Sequence, residues 1–189
     1  MTNVAFPSIE NYRDIETLNM YREAVEDRGD DPRSVLAIIH RKSRDNARTP
    51  MQWTAGPNAG FSAGEPWIAV NPNHRVINVE AATQDPASVF HYYRALIRLR
   101  KERPVIVYGR YDMLLEADQE IYAFTRSLED ERLLVILNFS ASTPVFALPT
   151  EVSFASAEVL IANYEIDRME APRLLTLRPY EARVYSLRT

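Results

Sequence analysis

The chain has 189 residues, 46% of them hydrophobic, enough to bury the core of one ordinary domain and part of a second. Its 22 basic and 26 acidic residues are interspersed without long like-charge blocks, which excludes the footprint of a nucleic-acid or anionic-membrane partner. Cysteine is absent, so a disulfide framework, thiolate chemistry and a cysteine zinc site are excluded as well.

The start Met1-Thr2-Asn3-Val4-Ala5 has neither a basic region nor an apolar stretch of signal length, and no run reaches the length of a membrane span, so a soluble cytoplasmic protein is expected. Asp14 reads as the cap of a helix running to about Arg28, with Ile15, Leu18, Tyr21 and Val25 on one face and Gly29 as its stop. Asp31-Pro32 gives a second start, and Val35, Leu36, Ile38 and Ile39 form the apolar side of a helix ending near Lys42.

From Thr49 to Pro72 neither the strand period nor the helix period persists, and a loop of that length inside a compact domain is usually functional or disordered. It holds both tryptophans, Trp53 and Trp67, with Phe61 between them, which argues against disorder. Val76 to Val79 reads as a short extended piece. Asp85-Pro86 then opens a helix to about Arg103, with Val89, Phe90, Tyr93, Leu96 and Ile97 facing inward and basic residues crowding its last turns before Pro104.

After Pro104 the pattern is of short strands separated by turns: Val105 to Tyr108, Tyr111 to Glu116, Glu120 to Arg126, Arg132 to Phe139, Pro144 to Leu148, Ala157 to Ile161, Leu174 to Arg178 and Ala182 to Leu187. Strands without intervening helices indicate an antiparallel all-β sandwich. Leu133 to Leu137 is apolar at every position, as in a central strand covered on both faces, whereas Ala182-Arg183-Val184 alternates like a half-exposed one.

The richest segment is Ser43-Arg44-Asp45-Asn46-Ala47-Arg48-Thr49-Pro50-Met51-Gln52-Trp53, followed by Asn58-Ala59-Gly60-Phe61 and Gly64-Glu65-Pro66-Trp67-Ile68. Proline and glycine fix an irregular backbone, aromatic rings offer flat apolar faces, and Arg, Asp and Asn offer directional hydrogen bonds, a combination suited to sugars. This segment resembles the loop after the last barrel strand in oligo-1,6-glucosidases and their relatives within the alpha-amylase family of glycoside hydrolases. Met1-Thr2-Asn3 and Tyr12-Arg13-Asp14-Ile15-Glu16-Thr17-Leu18-Asn19 resemble the segment before it, and Leu177-Arg178-Pro179-Tyr180-Glu181-Ala182 resembles the end of that family's C-terminal sandwich.

The resemblance implies a mixed fold class: residues 1–103 as a helical and loop remnant of the end of a TIM-type (β/α)8 barrel, and residues 104–189 as the sandwich. It implies a retaining alpha-glucosidase acting on short α-linked gluco-oligosaccharides, with an oligosaccharide as the partner in the full-length enzyme. It also implies that the catalytic carboxylates lie on barrel strands preceding Met1, so the chain alone is expected to be inactive and to self-associate through surfaces the barrel would cover. The rival class is a non-catalytic sandwich module that stabilises, binds carbohydrate or meets a partner.

Two residues are candidates for substrate binding. Read from composition, Arg44 is either a donor fork for adjacent hydroxyls or a loop strut paired with Asp45 or Asp14; the resemblance places it at the glucose subsite on the non-reducing side of the scissile bond. Glu16 reads as an exposed first-turn acid favoured by the helix dipole, and the resemblance places it facing the leaving sugar. Arg48, Asn46 and Gln52 are expected to hold loop backbone, and Trp53 and Trp67 to pack more than to stack on sugar. His40, His74 and His91 have no metal-ligand spacing, and Asp30-Asp31 and Glu129-Asp130-Glu131 lack the spaced oxygens of a calcium loop, so no metal and no cofactor is expected.

Overall fold

The computed structural model describes residues 1–188. They form two compact units, Met1–His91 and a second that begins at Tyr92.

In the first unit, α1 (Ile15–Tyr21) starts where the Asp14 carboxylate accepts from the Thr17 N–H at 3.3 Å. It continues as a π-helical segment, Arg22–Asp27, and ends at Gly29, whose φ of 77° no side chain tolerates well. The expected apolar face is rotated: Thr17 and Ala24 are buried, Leu18, Tyr21 and Val25 are half-buried, and Ile15 is 72% exposed. Ile15 is the first helical residue, ahead of the point where the helix meets its neighbour. The second helix, α2 (Pro32–Lys42), has the expected bounds and is capped by Asp31 on Ser34 at 2.9 Å. Val35 and Ile39 enter a core with Val4, Phe6, Tyr12, Ala24 and Ile68, in which Phe6 and Tyr12 meet edge to face at 5.3 Å.

Residues 76–78 form no strand: Val76 lies in the helical region, and Asn78, though extended, is a helix cap. Asn78 accepts from the Ala81 N–H at 2.8 Å and starts α3 (Val79–Gln84) instead. Asp85 spends its carboxylate on the Ala87 N–H at 2.9 Å, so the next helix, α4 (Val89–Glu102), opens three residues later than Pro86. Its amphipathic pattern is present, yet Val89, Phe90, Tyr93 and Ile97 lie exposed, contrary to the expectation that they face inward.

In the second unit, the strand expected at Val105 to Tyr108 is absent. Val105–Tyr108 forms one helical turn, α5, because Pro104 is already in the helical region and its carbonyl accepts from the Val107 and Tyr108 N–H groups at 2.9 Å. The Arg126 guanidinium closes that turn by donating to the carbonyls of Val105 at 3.2 Å and Gly109 at 2.8 Å. Four β-favouring side chains are too few to override these bonds.

The strands are β1 (Arg110–Leu114), β2 (Ile121–Leu128), β3 (Glu131–Asn138), β4 (Val145–Ala147), β5 (Ser156–Ala162), β6 (Leu174–Thr176) and β7 (Ala182–Arg188). They form a five-stranded antiparallel sheet in the order β1-β2-β3-β7-β5 and a two-stranded sheet β4-β6. Ile121, Leu134, Ile136, Tyr185 and Leu187 of the first sheet close on Phe146 and Leu175 of the second, which is the layered core of a sandwich. β3 is central, as its unbroken apolar run requires. β7 is central too, and its alternation was inverted by the sequence reading: Arg183 is buried and Ala182 and Val184 are half-buried. Arg183 can face inward because Glu181 at 2.9 Å, Glu170 at 2.5 Å and the Tyr185 hydroxyl at 3.2 Å surround its guanidinium.

Candidate functional site

An irregular backbone must satisfy its own polar groups, and here side-chain amides do so. Asn46 donates to the Ile39 and His40 carbonyls at the end of α2, at 2.9 and 3.0 Å, while its oxygen accepts from the Tyr12 hydroxyl at 3.0 Å. Gln52 donates to Asn73 at 2.8 Å and to the Ile77 carbonyl at 2.6 Å. The turn at Asn58-Ala59-Gly60 is left-handed throughout, with φ of 48°, 56° and 67°, and the Ala59 carbonyl accepts from the N–H groups of Trp53 and Thr54. These bonds make the loop a fixed frame.

One side of that frame carries a charged cluster. Asp45 is buried, and one of its oxygens accepts from the backbone N–H groups of Arg13 and Asp14 at 2.6 and 2.8 Å. Asp14, 9% exposed at its side chain, receives Arg44 Nη2 on Oδ1 at 2.5 Å and the Thr17 hydroxyl on Oδ2 at 2.9 Å. The same Thr17 hydroxyl lies 2.9 Å from Ser43 Oγ, tying the start of α1 to the turn that presents Arg44. Glu16 Oε2 lies 3.4 Å from Arg44 Nη2.

Desolvation opposes ionisation of Asp14, but the Thr17 hydroxyl and the Arg44 guanidinium outweigh it and hold the carboxyl below its usual value. Arg44 is held correspondingly above its own, first by the hydrogen bond to Asp14. A carboxylate so engaged is a poor nucleophile or proton donor.

The structure thus brings the two sequence candidates, Arg44 and Glu16, together. Arg44 remains 49% exposed, with Nε and Nη1 bonded to no other described residue. Asp14, Asp45, Arg13, Arg48, Phe61 and Trp67 are among the residues that line an adjoining cavity of about 460 Å³, whose lining includes Asp14 but neither Arg44 nor Glu16. Asn46 and Gln52 hold backbone as expected, whereas the Arg48 side chain is exposed and bonds no described residue. Trp67 is 73% exposed and Trp53 is exposed too, so neither is the packed ring that was expected. The imidazoles of His40, His74 and His91 each donate to a backbone carbonyl, and among the described residues no cluster of three ligands could hold a metal. Sequence reasoning had Asp14 as a helix cap and missed Asp45 as the buried anchor. The only signal for it was an acid within a loop rich in site-building residues.

The catalytic-domain description of the alpha-amylase family matches residues 1–109, and the description "Alpha-amylase SusG C-terminal domain" matches residues 121–184. The oligo-1,6-glucosidase of Parageobacillus thermoglucosidasius is 60% identical over 188 residues, covering 100% of this chain and 34% of that enzyme. The oligo-1,6-glucosidase of Bacillus cereus is 52% identical over the same span, again 34% of its length. The crystal structure of Bacillus licheniformis trehalose-6-phosphate hydrolase superposes with a TM-score of 0.92 at 45% identity, over 100% of this chain and 34% of that one. Isomaltulose synthase from a Klebsiella species gives 0.89 at 37% identity, with the same coverage. The chain spans about a third of the length of the relatives it matches. Among the described residues no helix is long and apolar enough to cross a membrane. The matches describe a catalytic-domain fragment followed by a C-terminal antiparallel sheet domain, and the chain belongs to the alpha-amylase family.

Proposed function

We propose that the chain is the C-terminal portion of a retaining alpha-glucosidase acting on short α-linked gluco-oligosaccharides, with Arg44 and Glu16 contacting the sugar. Residues 1–103 supply the last part of the catalytic domain and residues 104–189 the C-terminal domain. The observation that carries the assignment of Arg44 is its half-bonded state: one nitrogen is fixed by Asp14, and Nε and Nη1 are left to donate. The identity to two oligo-1,6-glucosidases supports the reaction class, and the order of the two family matches supports the place of the chain in the longer enzyme.

In the retaining mechanism one carboxylate attacks the anomeric carbon while a second protonates the leaving oxygen, and water then releases the sugar. Neither carboxylate belongs to this chain in this reading, so the chain alone is inactive. The chain's own contribution is to place the terminal glucose through Arg44 and to face the leaving sugar with Glu16. Structures named trehalose-6-phosphate hydrolase and isomaltulose synthase superpose over the whole chain at 45% and 37% identity, so the likeness of fold does not by itself choose the linkage cleaved.

The test is a pair of incubations with p-nitrophenyl α-glucoside, whose leaving group is not a sugar, followed by proton NMR of the first glucose anomer released. The full-length enzyme is expected to release α-glucose and the 189-residue chain to release nothing above the buffer blank. Release of β-glucose, or turnover by the chain alone that disappears in Arg44→Ala, would contradict the proposal.

A further inference from the structure

The pair Arg44–Asp14 has two readings, a strut for the loop or a component of the binding site, and the geometry joins them. We infer that Asp14 is the positioning residue of the site, holding the Arg44 guanidinium by one nitrogen so that its other edge faces substrate; this rests on the substrate role of Arg44 proposed above.

Both partners are held by further bonds. Asp14 caps α1, so its carboxylate is fixed to the first turn of that helix by the Thr17 N–H and hydroxyl at 3.3 and 2.9 Å. Its backbone is fixed independently, through the bond of its N–H to the buried Asp45 at 2.8 Å. Arg44 starts the short 3₁₀ turn Arg44–Asn46, whose preceding Ser43 is joined to Thr17 at 2.9 Å. Two neighbouring elements are therefore cross-linked on both sides of the ion pair.

Glu16 shows what the arrangement limits. It is highly exposed, sits on the same first turn, and already makes a longer ion pair with the same nitrogen, 3.4 Å from Arg44 Nη2, from which it can take the whole guanidinium if Asp14 loses its charge. A guanidinium taken over by Glu16 would spend both candidate contacts on one another. Asp14 wins this competition by position, its side chain being nearly buried and held by Thr17, where Glu16 is an exposed acid.

Asp14→Asn separates the cap from the charge, because asparagine caps helices about as well as aspartate. In the full-length enzyme with isomaltose as substrate, Asp14→Asn, Arg44→Ala and the double variant form a cycle. Asp14→Asn is expected to lower kcat/KM by about tenfold, with the same division between KM and kcat as Arg44→Ala and a melting temperature within a few degrees of the parent. In the Arg44→Ala background the same change is expected to cost less than about twofold. A silent Asp14→Asn alongside a damaging Arg44→Ala would show that Asp14 only caps the helix, and losses that multiply in the double variant would show that it acts independently of Arg44; either overturns the inference. A silent Arg44→Ala instead removes the substrate role of Arg44 and this inference with it.

Discussion

Replacing Glu181 by glutamine keeps the shape of a fully buried side chain and removes the charge around which the end of the sandwich is built. The Glu181 carboxylate accepts from the Arg178 backbone N–H at 2.7 Å and from Arg183 Nε at 2.9 Å. A glutamine amide satisfies one of these and turns a donor toward the other. Removing one partner of a buried pair costs about 3–5 kcal/mol, and Arg183 keeps Glu170 at 2.5 Å, so the lower end applies. About 3 kcal/mol is roughly a hundredfold in the unfolding equilibrium. Hydrogen exchange reads it locally, at the amides of Leu134, Ile136 and Tyr185, which are expected to exchange about a hundredfold faster in the variant.

The gap should also depend on pH. Burial raises the Glu181 pKa, but the Arg178 N–H, the Arg178 side chain and Arg183 together bring it below the ordinary 4.5. A depressed folded value means the contribution is full above the unfolded value and is lost as pH falls through the folded one. Parent and variant should therefore converge on acidification. A change of less than about threefold at neutral pH would show that the apolar core alone holds the sandwich and that the range used for a buried pair does not apply here.

Three further outcomes are expected. Gly109→Ala should destabilise the second unit by about 1–3 kcal/mol, because a Cβ there would lie 2.4 Å from the Val105 carbonyl oxygen; an unchanged urea midpoint would contradict the crowding. The chain should self-associate through the exposed apolar side of α4, and Ile97→Lys should shift it toward monomer in sedimentation velocity; a dilute parent that is fully monomeric would contradict this. Limited proteolysis should cut before Pro86 first, since residues 1–85 carry long irregular segments while the second unit holds the paired sheets; first cuts within β2 or β3 would reverse that order.

Local chemistry with a single mechanism was legible in the sequence. Asp14, Asp31 and Gly29 mark helix ends where they were expected, and the strands after residue 109 follow their apolar runs closely. What failed depends on distant partners. The turn Val105–Tyr108, started locally at Pro104, is closed by Arg126, and the inward Arg183 is held by Glu170 and Glu181. The exposed face of α4 shows the limit of periodicity: it reports which side is apolar and not whether anything lies against it. At the site, the family resemblance named Arg44 and Glu16, while only the folded structure shows Asp45 holding the backbone of Arg13 and Asp14, and Asp14 holding one nitrogen of the guanidinium.

The central claim is that Arg44 binds substrate and is not merely a strut. Comparing kcat/KM and melting temperature for Arg44→Ala and Arg44→Lys in the full-length enzyme tests it most directly. A hydrogen bond to a charged group is worth about 1.5–3 kcal/mol, so Arg44→Ala should lose roughly tenfold to hundredfold in kcat/KM with little change in melting temperature. Lysine should recover little, because one ammonium cannot be held by Asp14 and also present a planar edge to two hydroxyls. Unchanged activity per folded molecule, together with a fall in melting temperature, would contradict the account and leave Arg44 as a loop strut.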